Sequence, residues 1–502
     1  MSAAPHAIQT RGDLMPVGEA AAYFVLSVLL IFAFAGSLAI GFFPISAAVL
    51  ACAAIFFFFS RKFCLILVIT ATLFQNLIVA TTAYAISDLE VFRASQAINF
   101  VIFAALGTLA GWILFWAKVP LLKRDRGTLL LCIGFICLLV AYAGYGTFRS
   151  TPGSVAAYFR QFSTVIFALV CGIHVGRDLD RRFVRAAISL FAFLVIVFGA
   201  IEIASPDQFY SMFGVEDFYK LKLPTEIAMH QADLIAESFT QTWLNFSGQY
   251  ALDIESRKLL GPTLHNISFA YAAAIFALAS LYYGRVILAL LLIALLVFIG
   301  AKGPLIITVF SVSTYLLART RSLKPRLIEA GVIGVALAYS TFVILYGISS
   351  LDIHVIGLLA GLNGLIDNPL GHGLGVGGNL SDMAREARNI VEYRNEGVPF
   401  AIESAMGVLM YQVGVFFVLL IIIFFRVIGS LRRAIPANPI NTVFLTSAYF
   451  LLCNSFFQEE ALSPAAGGLF FLLYGIVISQ LPPEGAMTAI SQSDRKLRAA
   501  IS

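Results

Sequence analysis

Runs of 15 to 25 apolar residues, one after another and separated by short charged connections, dominate this chain and leave little choice of fold. The runs lie at residues 21–41, 44–59, 64–86, 97–117, 128–146, 156–175, 186–204, 265–283, 286–300, 303–318, 328–350, 403–425, 440–457 and 465–481. A bilayer core about 30 Å thick takes roughly 20 residues of α-helix, and backbone N–H and C=O groups in lipid must be satisfied within the segment that carries them. The pattern therefore predicts an all-α, polytopic helical membrane protein with about 14 transmembrane helices in one integral membrane domain spanning residues 1–502. With 60% hydrophobic and 12% charged residues, the chain has too little polar surface to cover a soluble domain.

Lysine and arginine decide the orientation. Arg61 and Lys62, Lys118 to Arg126, Arg177 to Arg185, Arg319 to Arg326 and Arg426 to Arg433 fall in alternate connections, which the positive-inside rule places in the cytoplasm together with both termini. The two longest polar segments, 205–264 and 351–402, then face the periplasm of a bacterial inner membrane. The net charge of +5 comes from these anchoring residues and gives no reason to expect nucleic acid. The six cysteines sit in apolar runs without metal-type spacing, so they read as packing residues, and no metal or cofactor is expected.

Chemistry is expected where polarity collects. The stretch Asp367 to Gly378 contains Gly371, Gly373 and Gly375, whose backbone N–H groups can meet ligand oxygens, and Arg385, Arg388 and Arg394 follow as forked donors suited to phosphate. Arg388 can equally pair with Glu392, one helical turn away. Segment 205–264 mixes carboxylates with aromatic residues such as Phe218, Tyr219 and Trp243, a composition that serves a sugar-binding surface or an interfacial helix on lipid headgroups. Arg257 and Lys258 precede a Gly-Pro turn. Lys302 lies in the break Gly300-Ala301-Lys302-Gly303-Pro304, beside a helix N-terminus that favours an anion, although a lysine there also reaches lipid headgroups. Arg160 lies near the outer end of its span. His174 and His354 are isolated and receive no role.

Three stretches together resemble the bacterial O-antigen ligase and polysaccharide polymerase superfamily, of the Wzy and WaaL type. They are Arg257 with Gly261-Pro262-Thr263-Leu264-His265-Asn266, Gly300 to Pro304, and Asn368-Pro369-Leu370-Gly371-His372-Gly373-Leu374-Gly375, and the likeness runs over about residues 156–425. Ligases of this type usually carry His-Asn where this chain has Glu403-Ser404, so the resemblance points to an exopolysaccharide or capsule polymerase. It implies a GT-C-type glycosyltransferase, independent of metal, that joins oligosaccharide repeat units carried on undecaprenyl diphosphate. It implies Glu403 as the base for the acceptor hydroxyl. Arg160, Arg257, Lys302, Arg385, Arg388 and Arg394 are the diphosphate-binding candidates. Partners on this reading are the lipid-linked donor and acceptor, membrane lipids, a chain-length regulator and an export complex. The alternatives are a ligase acting on lipid A core or protein, a lipid-linked oligosaccharide flippase, and a non-catalytic export subunit.

Overall fold

The computed structural model describes residues 6–86, 88–116, 123–222, 239–242, 255–320, 324–381, 403–435 and 438–481. They form an all-helical bundle in which eight helical stretches are long and apolar enough to cross a membrane. In chain order the helices are α1 (His6–Ala39), α2 (Phe43–Phe59), α3 (Arg61–Thr82), the short α4 (Leu89–Ser95), α5 (Ile98–Trp116), α6 (Lys123–Gly146), α7 (Pro152–Gly176) and α8 (Arg181–Ala204). Two short helices follow, α9 (Pro206–Phe213) and α10 (Val215–Lys222), then α11 (Asn266–Tyr282), α12 (Val286–Ile299), α13 (Lys302–Arg319), α14 (Pro325–Ser350) and α15 (Ile353–Asp367). The bundle closes with α16 (Ala405–Val413), α17 (Val418–Ala434), α18 (Thr442–Ser455) and α19 (Leu469–Ser479).

The helices α7 and α19 form the centre. Glycines let their backbones approach closely: a Cβ on Gly172 would stand 2.2 Å from the Leu472 carbonyl oxygen, and one on Gly475 2.6 Å from that of Leu169. Close backbone approach is how membrane helices gain packing where lipid removes the hydrophobic drive between them. Outward faces are apolar instead of polar, with Leu290, Phe298, Leu317 and Leu345 between 55% and 65% exposed. That is the surface a lipid solvent requires, and the chain is a polytopic membrane protein.

The two ends of the bundle differ. At one end Lys62 pairs with Glu19 at 2.7 Å, Arg61 with Asp178, and Arg432 with Glu329 at 3.6 Å, while Arg181 lies over the rings of Tyr282 and Tyr283. These contacts gather the starts of α3, α8 and α14 with the ends of α7, α11 and α17. The opposite end holds the starts of α11, α13 and α15 and the ends of α8, α12, α14 and α18. Above it lies a polar layer made of α9, α10 and a two-stranded antiparallel ribbon, β1 (Thr240–Thr242) with β2 (Glu255–Arg257).

Two details depart from the sequence-based expectation. The polar segment beginning at Leu351 opens as a helix, α15, whose glycines serve packing: a Cβ on Gly361 would meet the Gly407 carbonyl oxygen at 2.2 Å, and one on Gly364 the Tyr411 ring at 2.3 Å. The run 403–425 is interrupted at Gly414, where φ is +61° and the helix gives way to a 3₁₀ turn, Gly414–Phe417.

Candidate functional site

A cavity of about 1210 Å³ opens at the polar end of the bundle. Lys222, Lys258, Lys302, His265 and His354 line it, Asp352 contributes a carboxylate, and Tyr339, Phe342 and Tyr346 of α14 form an aromatic wall. Its position follows from helix length. The 14 residues of α12 rise only ~21 Å and end at Gly300, in the left-handed conformation at φ +73°, so that Lys302 begins α13 on the cavity wall. At Gly303 a Cβ would stand 2.4 Å from Gln458 Oε1 and 2.8 Å from Asn454 Nδ2. A bare backbone is thus required where α13 meets the floor.

Two histidine–glutamate pairs flank this space. His354 Nδ1 lies 3.2 Å from the Glu403 carbonyl oxygen and 3.3 Å from its Oε2. Both are acceptors, so Nδ1 carries a proton, and the ring lines the cavity. On the other wall His265 is the N-cap of α11: its Nδ1 lies 3.3 Å from Ser268 N, 3.0 Å from Ser268 Oγ and 3.6 Å from Glu460 Oε1, which takes a hydrogen bond from the Ser268 hydroxyl.

A third carboxylate stands behind the pairs. Glu459 accepts from Tyr158 Oη at 2.9 Å, and its N–H donates to the Glu403 carbonyl at 3.0 Å, which ties the α18–α19 connection to the start of α16. Burial pushes the Glu459 carboxyl up to about 8; the Tyr158 hydrogen bond opposes this, and the charges of Glu403 and Glu460 add to it.

Backbone strain collects next to the histidines. Among the described residues the non-glycine positions with positive φ are Leu264, at +49°, and Leu351, at +56°. Leu264 directly precedes His265, and Leu351 precedes the Asp352 cap that accepts from the His354 N–H at 2.9 Å. Left-handed leucines cost roughly 1–2 kcal/mol each and persist where surrounding structure holds them, commonly at functional sites.

The residues singled out from sequence divide into three groups. Lys302 lines the cavity, and Glu403 lies behind His354, one hydrogen bond from it. Arg257 pairs with Asp207 at 2.9 Å and lies 4.8 Å over the Tyr210 ring, and Arg160 donates to the Gln96 carbonyl at 3.1 Å, so the structure does not bring either to the cavity lining. Gly371, Gly373 and Gly375 each have positive φ, and backbone carbonyls engage part of the loop: Gly371 N donates to Asn368 O, His372 N to Tyr411 O and Gly373 N to Gln412 O. Arg385, Arg388 and Arg394 lie outside the described residues.

Sequence reasoning missed His265, His354, Ser268, Tyr158 and the acidic pair Glu459-Glu460. The pair had a signal: two carboxylates in a connection of a few residues between two apolar runs. A buried carboxylate inside α8, Glu202, was missed as well. Its two oxygens accept from Leu260 N at 2.8 Å and Gly261 N at 2.7 Å, and Tyr210 Oη donates to it at 3.2 Å, fixing the turn that leads to His265. Among the described residues, no group of three His, Cys, Asp or Glu side chains is arranged to hold a metal ion. No protein family, curated protein or solved structure matches the chain.

Proposed function

We propose that this chain is a membrane glycosyltransferase of GT-C type, with about 14 membrane spans, that polymerises undecaprenyl-diphosphate-linked oligosaccharide repeat units into a surface polysaccharide. It works at the periplasmic face of the bacterial inner membrane with both termini in the cytoplasm, as the distribution of lysine and arginine supports. The observation that carries the reading is a histidine held by a glutamate, His354 with Glu403, facing a cavity that also presents Lys222, Lys258 and Lys302.

On this reading the acceptor sugar hydroxyl gives its proton to His354 Nε2. Glu403 keeps the ring in the required tautomer and steadies the imidazolium that forms, as carboxylates do for catalytic histidines generally. The hydroxyl oxygen bonds to the anomeric carbon of the donor, whose bond to phosphate breaks with the electron pair on the phosphate oxygen. The lysines offset the charge that develops on the departing diphosphate. Tyr339, Phe342 and Tyr346 offer faces to sugar C–H groups or to the prenyl chain. The base expected from sequence, Glu403, thus acts through a neighbour.

The test is polymer length at matched protein abundance. His354→Asn is expected to lose about 100-fold to 10,000-fold in rate and to accumulate single lipid-linked repeat units. Glu403→Gln is expected to lose less, because the Glu403 carbonyl oxygen still holds the ring. Polymer of wild-type length and rate in both variants would rule out the dyad, and glycan appearing on lipid A core instead of growing would assign the chain as a ligase.

A further inference from the structure

The end of the bundle opposite the cavity holds a corner that the proposed reaction does not use. There α8 begins at Arg181, and α11 runs out through Tyr282, Tyr283, Gly284 and Arg285. Gly284, left-handed at φ +77°, lets Arg285 N donate back to Ser280 O at 2.7 Å, so the chain reverses and α12 starts at Val286. Tyr283 and Arg285 thus leave one tight turn together.

The Arg181 guanidinium carbon stands 5.4 Å from the centre of the Tyr282 ring and 5.7 Å from that of Tyr283. The rings steady the cation through their π-faces, and its N–H groups keep their capacity to donate. Among the described residues, neither Arg181 nor Arg285 pairs with a carboxylate. Of the two acids in the α7–α8 connection, Asp178 pairs with Arg61, and Asp180 caps α8 by accepting from Arg182 N at 3.0 Å. Two further donors are buried without a partner among the described residues: the hydroxyl of Tyr283, a residue only 8% exposed, and Arg285 Nε. A buried donor left unpaired is costly, the more so on a charged group. Two cations and a hydroxyl at one corner call for an anion rich in oxygen, and the guanidinium fork fits phosphate.

The source of that phosphate follows from what borders the corner. From Arg285, α12 runs toward the cavity end, and Ile287, Leu290, Leu291 and Phe298 along it are exposed and apolar. A phosphate at Arg285 is therefore continuous with a lipid-facing surface on which acyl chains lie. Basic pockets between membrane helices suit anionic headgroups.

We propose that Arg181, Tyr283 and Arg285 bind the phosphate of an anionic phospholipid in the leaflet at this end of the bundle. A zwitterionic headgroup brings an ammonium to a corner that already holds two cations, so a net-negative lipid is favoured. The site stands apart from the cavity and does not depend on the reaction proposed there. Its occupant joins the start of α8 to the turn between α11 and α12 from the lipid side.

The full chain, purified in detergent, is titrated with phosphatidylglycerol, with phosphatidylethanolamine of the same acyl chains, and with soluble glycerol 3-phosphate, bound molecules being counted by native mass spectrometry. Phosphatidylglycerol is expected to bind at least about tenfold more tightly than phosphatidylethanolamine, the worth of one charge-assisted hydrogen bond. Equal binding of the two lipids overturns the proposal. Glycerol 3-phosphate is expected not to displace the lipid; displacement at comparable concentration makes free phosphate the ligand and overturns the lipid assignment. Arg181→Gln and Arg285→Gln are each expected to weaken phosphatidylglycerol about tenfold. Arg182→Gln, which removes the same charge from the exposed neighbouring residue, is expected to leave it unchanged. Equal loss in all three variants means diffuse surface charge in place of a site. Tyr283→Phe keeps the ring beneath Arg181 and is expected to weaken binding about threefold to tenfold; wild-type affinity in both Tyr283→Phe and Arg285→Gln overturns the site.

Discussion

Glu459 departs far from the ordinary behaviour of a carboxyl group. Its carboxyl titrates at about 8 in the folded protein against 4.5 for the unperturbed group, so the folded state holds a proton that the unfolded chain releases first. Stability linked to this group is therefore full below pH 4.5, declines as pH rises, and is lost by about pH 8. Thermal unfolding in detergent is expected to show a midpoint that falls across that window in wild type and falls less in Glu459→Gln. The amide mimics the neutral acid and keeps an acceptor for Tyr158. Equal pH dependence in the two proteins would mean that Glu459 is ionised throughout. None of this was legible in the sequence, because the carboxyl's properties come first from its burial in the fold, then from Tyr158, 301 residues away, which opposes the shift, and from Glu403 and Glu460, which add to it. Residue types mark where polarity collects, whereas protonation depends on what the fold sets around it.

Among elements, the corners place the cavity's histidines. Most helices could be read directly: α11, α12 and α13 begin and end within a residue or two of their apolar runs, since hydropathy alone decides what can lie in lipid. In the glycine-rich stretch, glycines that look open to a ligand also serve close packing. Gly371 shows this, since a Cβ there would stand 2.5 Å from the Gln412 carbonyl oxygen. The corner between α14 and α15 turns on Leu351, left-handed at φ +56° and 57% exposed. Leu351→Gly relieves the steric strain while losing little packing, although glycine's greater freedom when unfolded offsets part of the gain. The variant is expected to be as stable as wild type or up to about 1 kcal/mol more stable, while the loosened corner lowers the rate by letting His354 wander from Glu403. Calorimetry alongside polymer assays separates the two effects, and a destabilised but fully active variant would contradict the role given to this corner.

For the whole molecule, the contacts agree with the alternation of lysine and arginine along the chain, as the pairs Lys62–Glu19 and Arg432–Glu329 meet at the end opposite the cavity. Reporter fusions near Phe239 and Asn379 are expected to read periplasmic, and one at Lys324 cytoplasmic. A cytoplasmic signal at Asn379 would place the cavity on the wrong side for a lipid-linked donor presented to the periplasm. The helices that frame the cavity also set how far it lies from the membrane surface. On the proposed topology, a 14-residue α12 starting at the cytoplasmic surface stands about 9 Å short of a 30 Å hydrocarbon core, which sets Lys302, just past its end, below the plane where phospholipid phosphates ride. An acyl chain of ordinary length holds its headgroup at that plane, while a polyprenyl chain several times longer can be drawn inward without leaving lipid. On the proposed reading, depth by itself would separate the polyprenyl-linked substrate from the most abundant phosphates in the membrane.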